Sequence, residues 1–172
     1  MIFRLTDNAK NQLKLSMLDN KFSNLEKVFF NEFNINLVTL NRKKYFMITE
    51  SKTLFTIIHS AIGIKSVFEF EALLSKIFTD IFNNLIEGNR LERLDFKNSI
   101  YAKTENNYVR RSQIDHLYHA KRLLEKGENT FGINRFPIAS IGFQFPEEYF
   151  IKELGKILGQ DGFIFVEDVL KN

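Results

Sequence analysis

Between residues 66 and 88, apolar side chains return every three or four positions: Phe70, Leu73, Leu74, Ile77, Phe78, Ile81, Phe82 and Leu85. This is the period of a helix with one buried face. Ser66 followed three positions later by Glu69 has the form of a capping box, and Gly88 supplies a C-terminal stop. The spacing predicts a helix over about 67–87, ~31 Å long at 1.5 Å per residue. Its wide apolar face predicts that it packs across a sheet.

A period of two marks the sheet. Residues 34–49 read as a hairpin: Ile35, Leu37 and Thr39 alternate with Asn36, Val38 and Leu40, Asn41-Arg42-Lys43 turns the chain, and Tyr45 to Thr49 returns. The β-branched run Thr53 to Ile58 predicts a third strand. Residues 2–5, 91–103, 108–111 and 163–166 read as further strands or strand-like segments, with a turn at Glu105-Asn106-Asn107. Thr6 can cap a short helix to about Leu15. Leu25, Val28, Phe29 and Phe33 favour helix within 16–33.

A second capping-box pattern, Ser112 with Asp115, predicts a helix from there to about Lys126, ended by Gly127. Residues 131–145 read as irregular. Pro146-Glu147-Glu148 suits the first turn of a last helix, with Phe150, Leu154, Ile157 and Leu158 as its buried stripe. Strands and helices mix without a regular βαβ rhythm. The expected class is α+β: a mostly antiparallel sheet packed against the helix at about 67–87 and two or three further helices, in one domain over 1–172.

Composition adds limits to this picture. The chain has 172 residues, 44% hydrophobic and 26% charged, which is the make-up of a globular domain. It has no cysteine, which excludes disulfides, thiolate metal sites and a cysteine nucleophile, and fits a reducing cytoplasm. No apolar run is long enough to span a membrane, and the N-terminus lacks a signal-peptide pattern, so no membrane partner is expected. Phenylalanine is abundant, at 19 residues. The expected use is a Phe-packed core, with an exposed patch for homodimerisation as the alternative. The net charge of +3 is short of what a dedicated DNA-binding domain carries.

Candidate chemistry concentrates in residues 110–122. On a helix Asp115 and His119 share a face, with Arg122 three residues further and His116 adjacent. Ile114, Leu117, Ala120 and Leu124 are expected on the opposite side. The candidate catalytic residues are therefore His119, Asp115 and His116. The binding candidates are Arg110, Arg111, Lys121, Arg122 and Tyr118. His119 could act as acid–base group with Arg111 or Arg122 holding a phosphate. Asp115, His119 and His116 could instead ligate a divalent metal, but they supply only part of a site, and no metal is assigned. A capped, solvated helix face accounts for the same residues more simply. His59, ending an apolar strand, reads as a half-buried structural histidine. Neither a P-loop nor a dinucleotide fingerprint nor a nucleophile elbow is present, so no cofactor is expected. Basic residues beside Tyr45, Tyr108 and Tyr118 could grip a nucleic acid.

The opening Ile2-Phe3-Arg4-Leu5-Thr6 with Lys10, then Arg111-Ser112-x-Ile114-x-x-Leu117, then Ile133-Asn134-x-x-Pro137-Ile138 and Ile141-Gly142-Phe143-x-x-Pro146 resemble a small bacterial family of unknown function associated with plasmids and mobile elements. Asn8 departs from that pattern, where the family has lysine. Asp115 and Tyr118-His119 depart from it where the family favours a glycine and an Asn-Asp pair. The resemblance implies an intracellular accessory domain and carries no reaction. The expected function is non-enzymatic binding of a protein or nucleic-acid partner, with an enzyme acting on a phosphate-containing substrate as the alternative.

Overall fold

A computed structural model describes residues 1–16, 28–85, 92, 94–96, 99–104 and 107–158. Five strands form one sheet: β1 (Ile2–Leu5), β2 (Glu32–Leu40), β3 (Lys43–Glu50), β4 (Thr56–Ser60) and β5 (Ile100–Lys103), in the order β4-β3-β2-β1-β5. Strands β2, β3 and β4 make the antiparallel part expected from the alternating pattern. Strand β1 lies parallel to both β2 and β5, so the sheet is mixed. The helices are α1 (Asp7–Gln12), α2 (Val67–Leu85), α3 (Asn107–Glu125) and α4 (Pro146–Leu158), with 3-10 segments at Thr130–Arg135 and Ala139–Ile141. The class is α+β.

The β2–β3 hairpin turns through Asn41 and Arg42, whose φ angles of 47° and 63° are both positive. Two left-handed residues twist the chain in the sense that matches the strands, and asparagine tolerates that conformation well. Helix α2 starts as its capping box requires. Ser66 Oγ accepts from Glu69 N at 3.3 Å, and the Glu69 carboxylate accepts from Lys65 N at 2.7 Å and from Ser66 Oγ at 2.9 Å. Gly127, at φ +72°, ends α3: Glu128 N returns to Leu123 O and Gly127 N to Leu124 O.

The pleat assigns each strand's side chains to two layers. Phe3, Leu5, Phe33, Ile35, Phe46, Ile48 and Ile57 face α2, and Phe70, Leu74 and Phe78 come down on them. Phe150 of α4 closes this core, stacked on Phe55 with centroids 4.3 Å apart. Thirteen of the sixteen described phenylalanines are buried or half-buried, and Phe68, Phe143 and Phe145 are exposed. The phenylalanine excess is therefore mainly a core. The opposite pleat carries Arg4, Asn34, Val38, Met47, Thr49 and Thr56. It is covered by α3 and the 3-10 segment Thr130–Arg135.

Several expectations change. Residues 108–111 are helical, because α3 begins at Asn107, ahead of Ser112. Ser112 is an interior helix residue. Its hydroxyl donates back to Tyr108 O at 3.2 Å and lies 3.1 Å from Ser140 Oγ, so it caps nothing. Helix does not extend over 28–33: residues 29–31 form a turn, and β2 begins at Glu32. The strand expected over 91–103 is confined to β5. Residues 17–27, the Glu105-Asn106 part of the expected turn, Gly88 and the expected strand at 163–166 lie outside the described residues. Among the described residues no helix is long and apolar enough to cross a membrane.

Candidate functional site on the third helix

Helix α3 lies over the sheet with an unusual inner stripe. Val109, Ser112, Gln113, His116 and Ala120 are its buried residues, spaced three or four apart. Three of the five are polar, and the sheet beneath them is polar too. Gln113 Nε2 donates to Asn34 O and to Thr49 Oγ1, each at 3.1 Å. Thr49 Oγ1 lies 3.0 Å from Thr56 Oγ1, which donates to Leu54 O at 2.9 Å. His116 Nδ1 approaches the same Thr56 oxygen at 2.7 Å. Since Thr56 spends its one proton on Leu54, its oxygen accepts from both His116 Nδ1–H and Thr49 Oγ1–H.

The chain of bonds continues across the sheet. Asn34 Nδ2 donates to Ser51 Oγ at 2.8 Å, Ser51 Oγ to Glu32 at 3.0 Å, and Arg4 pairs with Glu32 at 2.8 Å. Buried polar groups cost free energy unless they are partnered, and this layer partners nearly all of its own. Among the described residues two buried side-chain atoms lack a hydrogen-bond partner, His116 Nε2 and His119 Nδ1.

The structure separates the candidates drawn from residues 110–122. His116 is fully buried, at 0% exposure, so it does not share the solvent face with Asp115. Burial, reinforced by the charge of His119, lowers its pKa to about 4. A fully buried imidazole held neutral across the physiological range orders the interior. His119 is half-buried, stacked on Phe136 with centroids 3.9 Å apart and ring planes 9° apart. Desolvation, then the nearby Arg122 charge, lowers its pKa, and Asp115 opposes them.

Asp115, Arg110, Arg111, Lys121, Arg122 and Tyr118 are all exposed. Ile114, expected on the inner side with Leu117, is 66% exposed. Both are corrected by the same cause: the buried stripe follows Gln113, His116 and Ala120, and that rotates the helix relative to a purely apolar reading. Arg111 lies eight residues from His119, about 12 Å along the axis. Arg122 is one turn from His119 and sits 6.0 Å from the Tyr118 ring centroid. Lys121 reaches Glu125 only at 4.0 Å. His59 is half-buried, as expected, with Nδ1 2.9 Å from Ser60 O.

The residues that sequence reasoning missed are Asn34, Thr49, Thr56, Gln113 and Asn134. Four of them sit within strands or a helix and Asn134 in a stretch expected to be irregular, and none of the five was singled out for a structural role. The available signal was the stripe Gln113, His116, Ala120: small or polar side chains at helical spacing, facing polar alternate positions in β2, β3 and β4. Among the described residues no group of three or more His, Asp or Glu side chains could hold a metal ion.

The outer face of α3 brings the exposed binding candidates together. An exposed Ile114–Tyr118 step lies at its centre. Arg110 and Arg111 stand at one end, Lys121 and Arg122 at the other, and Asp115 and Glu125 among them. Compared with family models, with characterised proteins and with solved structures, the chain finds no match.

Proposed function

We propose that this domain is a non-enzymatic binding module that engages an acidic protein partner through the outer face of α3. The observation that carries this reading is the order of side chains on that face. An apolar and an aromatic residue, 66% and 63% exposed, are bracketed by two basic pairs. Protein interfaces have this anatomy, an apolar centre inside a charged rim, and tyrosine and arginine dominate their energetic centres. The stretch from Arg111 to Arg122 is about 16 Å long, enough for a helix-sized contact. The inward turn of His116 and the stacking of His119 weigh against the alternative, acid–base chemistry on a phosphate-containing substrate. The resemblance to a mobile-element family is in keeping with an accessory role.

A nucleic-acid partner is less favoured, because the exposed apolar Ile114 at the centre of the face would meet a phosphate backbone poorly. The test is capture of a partner by the purified protein, followed by Arg111→Glu with Arg122→Glu, and separately Ile114→Asp. Both variants are expected to lose the partner at least tenfold while melting as the wild type does. Retention of binding by both would overturn the assignment of the face. Binding to nucleic acid with a steep salt dependence would overturn the choice of partner.

A further inference from the structure

We propose that two copies of this chain pair through the outer edge of β5, joining their sheets antiparallel across a two-fold axis at Ala102. The hydrogen-bonding phase of β5 comes first. Ile100 N donates to Met1 O at 2.9 Å, and Thr104 N donates to Leu5 O at 3.1 Å. Alternate residues of a strand turn their backbone groups to the same neighbour, so Ile100, Ala102 and Thr104 are spent on β1. Tyr101 and Lys103 therefore turn their N–H and C=O outward. β5 ends the strand order, and among the described residues no strand pairs with that side. The opposite edge is treated differently: Asn134 occupies the N–H and C=O of Thr56 there. An unpaired edge is a template for a further strand.

The faces come next. Tyr101 packs on Phe3 with ring centroids 5.6 Å apart, so it points to the α2 side, and its hydroxyl donates to Glu71 at 2.6 Å. Ala102 points the other way and is buried, and Lys103 returns to the α2 side and is exposed. Among the described residues Lys103 enters no ion pair. Phe68 stands one turn before Glu71 on the same side of α2 and is 78% exposed.

These positions select a second copy as the partner. An edge lysine ordinarily keeps strands apart. With the axis at Ala102, Tyr101 of each copy lies opposite Lys103 of the other, their Cβ atoms about 5 Å apart. The N–H and C=O groups of the two residues exchange bonds on both sides of the axis. Each Lys103 ammonium then comes beside the Tyr101 ring and the Glu71 carboxylate that holds its hydroxyl, so the charge is matched. A shift of two residues sets lysine against lysine or tyrosine against tyrosine and loses the match. The axis stands normal to the sheet, so both α2 helices lie on one side of it, each bringing its exposed Phe68. Both α3 helices lie on the other side with their outer faces open, so the dimer presents that face twice.

The experiment is sedimentation equilibrium of the full chain over a concentration series from micromolar to millimolar. A monomer–dimer equilibrium is expected for the wild type. Lys103→Glu sets a carboxylate against Glu71 at both ends of the seam and is expected to weaken the dimer about tenfold or more. Lys103→Pro removes one outward N–H from each copy and leaves the bonds to β1, so it is expected to abolish the dimer at an unchanged circular dichroism spectrum. Ile114→Asp, on α3, is expected to dimerise as the wild type does. A wild type that is monomeric throughout the series would overturn the proposal. Dimers that survive both Lys103 variants, or that are lost with Ile114→Asp instead, would overturn it as well.

Discussion

Asn134 grips Thr56 by both of its backbone groups: Thr56 N donates to Oδ1 at 2.7 Å, and Nδ2 donates to Thr56 O at 2.8 Å. Thr56 is the first residue of β4, and β4 is an edge of the sheet. The side-chain amide thus takes the place of the next strand's peptide, and it closes the edge where a second chain could otherwise add. A third bond, from Nδ2 to Phe131 O at 3.2 Å, ties the amide to its own 3-10 turn.

Asn134→Ala leaves a buried N–H and a buried C=O of Thr56 without partners. Each costs about 1–3 kcal/mol, so a loss of roughly 2–5 kcal/mol is expected. Asn134→Asp keeps the acceptor for Thr56 N but sets a carboxylate against Thr56 O, and it should be at least as damaging. Urea unfolding checks both, with the midpoint falling and the slope unchanged. A loss below about 0.5 kcal/mol for Asn134→Ala would show that the clamp is dispensable.

His116 links this polar layer to pH. Its folded pKa of about 4 lies below its ordinary 6.5, because burial disfavours the imidazolium. The unfolded chain therefore binds a proton that the folded chain refuses between those two values. Stability from this source is complete above about pH 6.5 and is lost as pH falls towards 4, amounting to roughly 3 kcal/mol at the acid end. His116→Gln, neutral throughout and able to donate to Thr56, should flatten the acid limb by that order. Unfolding curves at pH 7 and pH 4.5 for both proteins decide it. Equal losses would place the acid sensitivity elsewhere.

The parts of this fold that were legible in the sequence are those whose signal is local. Ser66 and Glu69 announce α2, Pro146 and its two glutamates announce α4, and the alternation through Asn41 announces the β2–β3 hairpin. Ser112 misled because a serine followed three residues later by an aspartate has the same pattern whether the hydroxyl caps a helix or, as here, bonds back to Tyr108 O within one. The parallel pairing of β1 with β2 and β5 joins segments tens of residues apart, and no local period encodes it. The candidate face was half legible. Its charges were located, but its orientation was not, because the buried stripe of α3 is written in glutamine and histidine and faces threonines. An apolar-in, polar-out pattern applies only when one side of the sheet meets water, and here both sides are covered.

Glu50, fully buried at the end of β3, organises the turn that follows. One carboxylate oxygen accepts from Lys52 N at 3.1 Å and from Thr53 N and Thr53 Oγ1, both at 2.7 Å; the other accepts from Phe30 N at 3.2 Å. All four of these bonding groups are donors. Glu50→Gln must therefore turn its amide nitrogen against at least one N–H, and it should cost about 1–3 kcal/mol at pH 7. Burial raises the Glu50 pKa above 4.5, with the donors opposing. The folded state then holds its proton to higher pH than the unfolded state, so wild-type stability from this source rises as pH falls from the folded pKa to 4.5. The glutamine variant lacks that rise. The gap between the two proteins should widen on acidification, measured as urea midpoints from pH 7 to pH 4.5. A gap that narrows would mean that the carboxylate enters the fold fully charged.

Phe143 lies in the left-handed region at φ +60° and is 71% exposed, directly after Gly142 at φ +70°. The pair turns the chain between Ile138 and Gln144, which bridge to each other. A left-handed conformation costs an L-residue with a bulky side chain roughly 1–2 kcal/mol, and the exposed ring recovers little of it by burial. Asparagine adopts this conformation more readily, so Phe143→Asn should stabilise the domain by about 0.5–1 kcal/mol. Phe143→Gly should give a smaller gain, because glycine also loosens the unfolded chain. The melting temperature and urea midpoint of the two variants test this order. A loss of stability in both would mean that the ring is held by a contact worth more than its backbone strain. Partner capture by Phe143→Asn supplies a second readout: with α3 as the docking face, binding should survive this substitution while it fails in Arg111→Glu with Arg122→Glu.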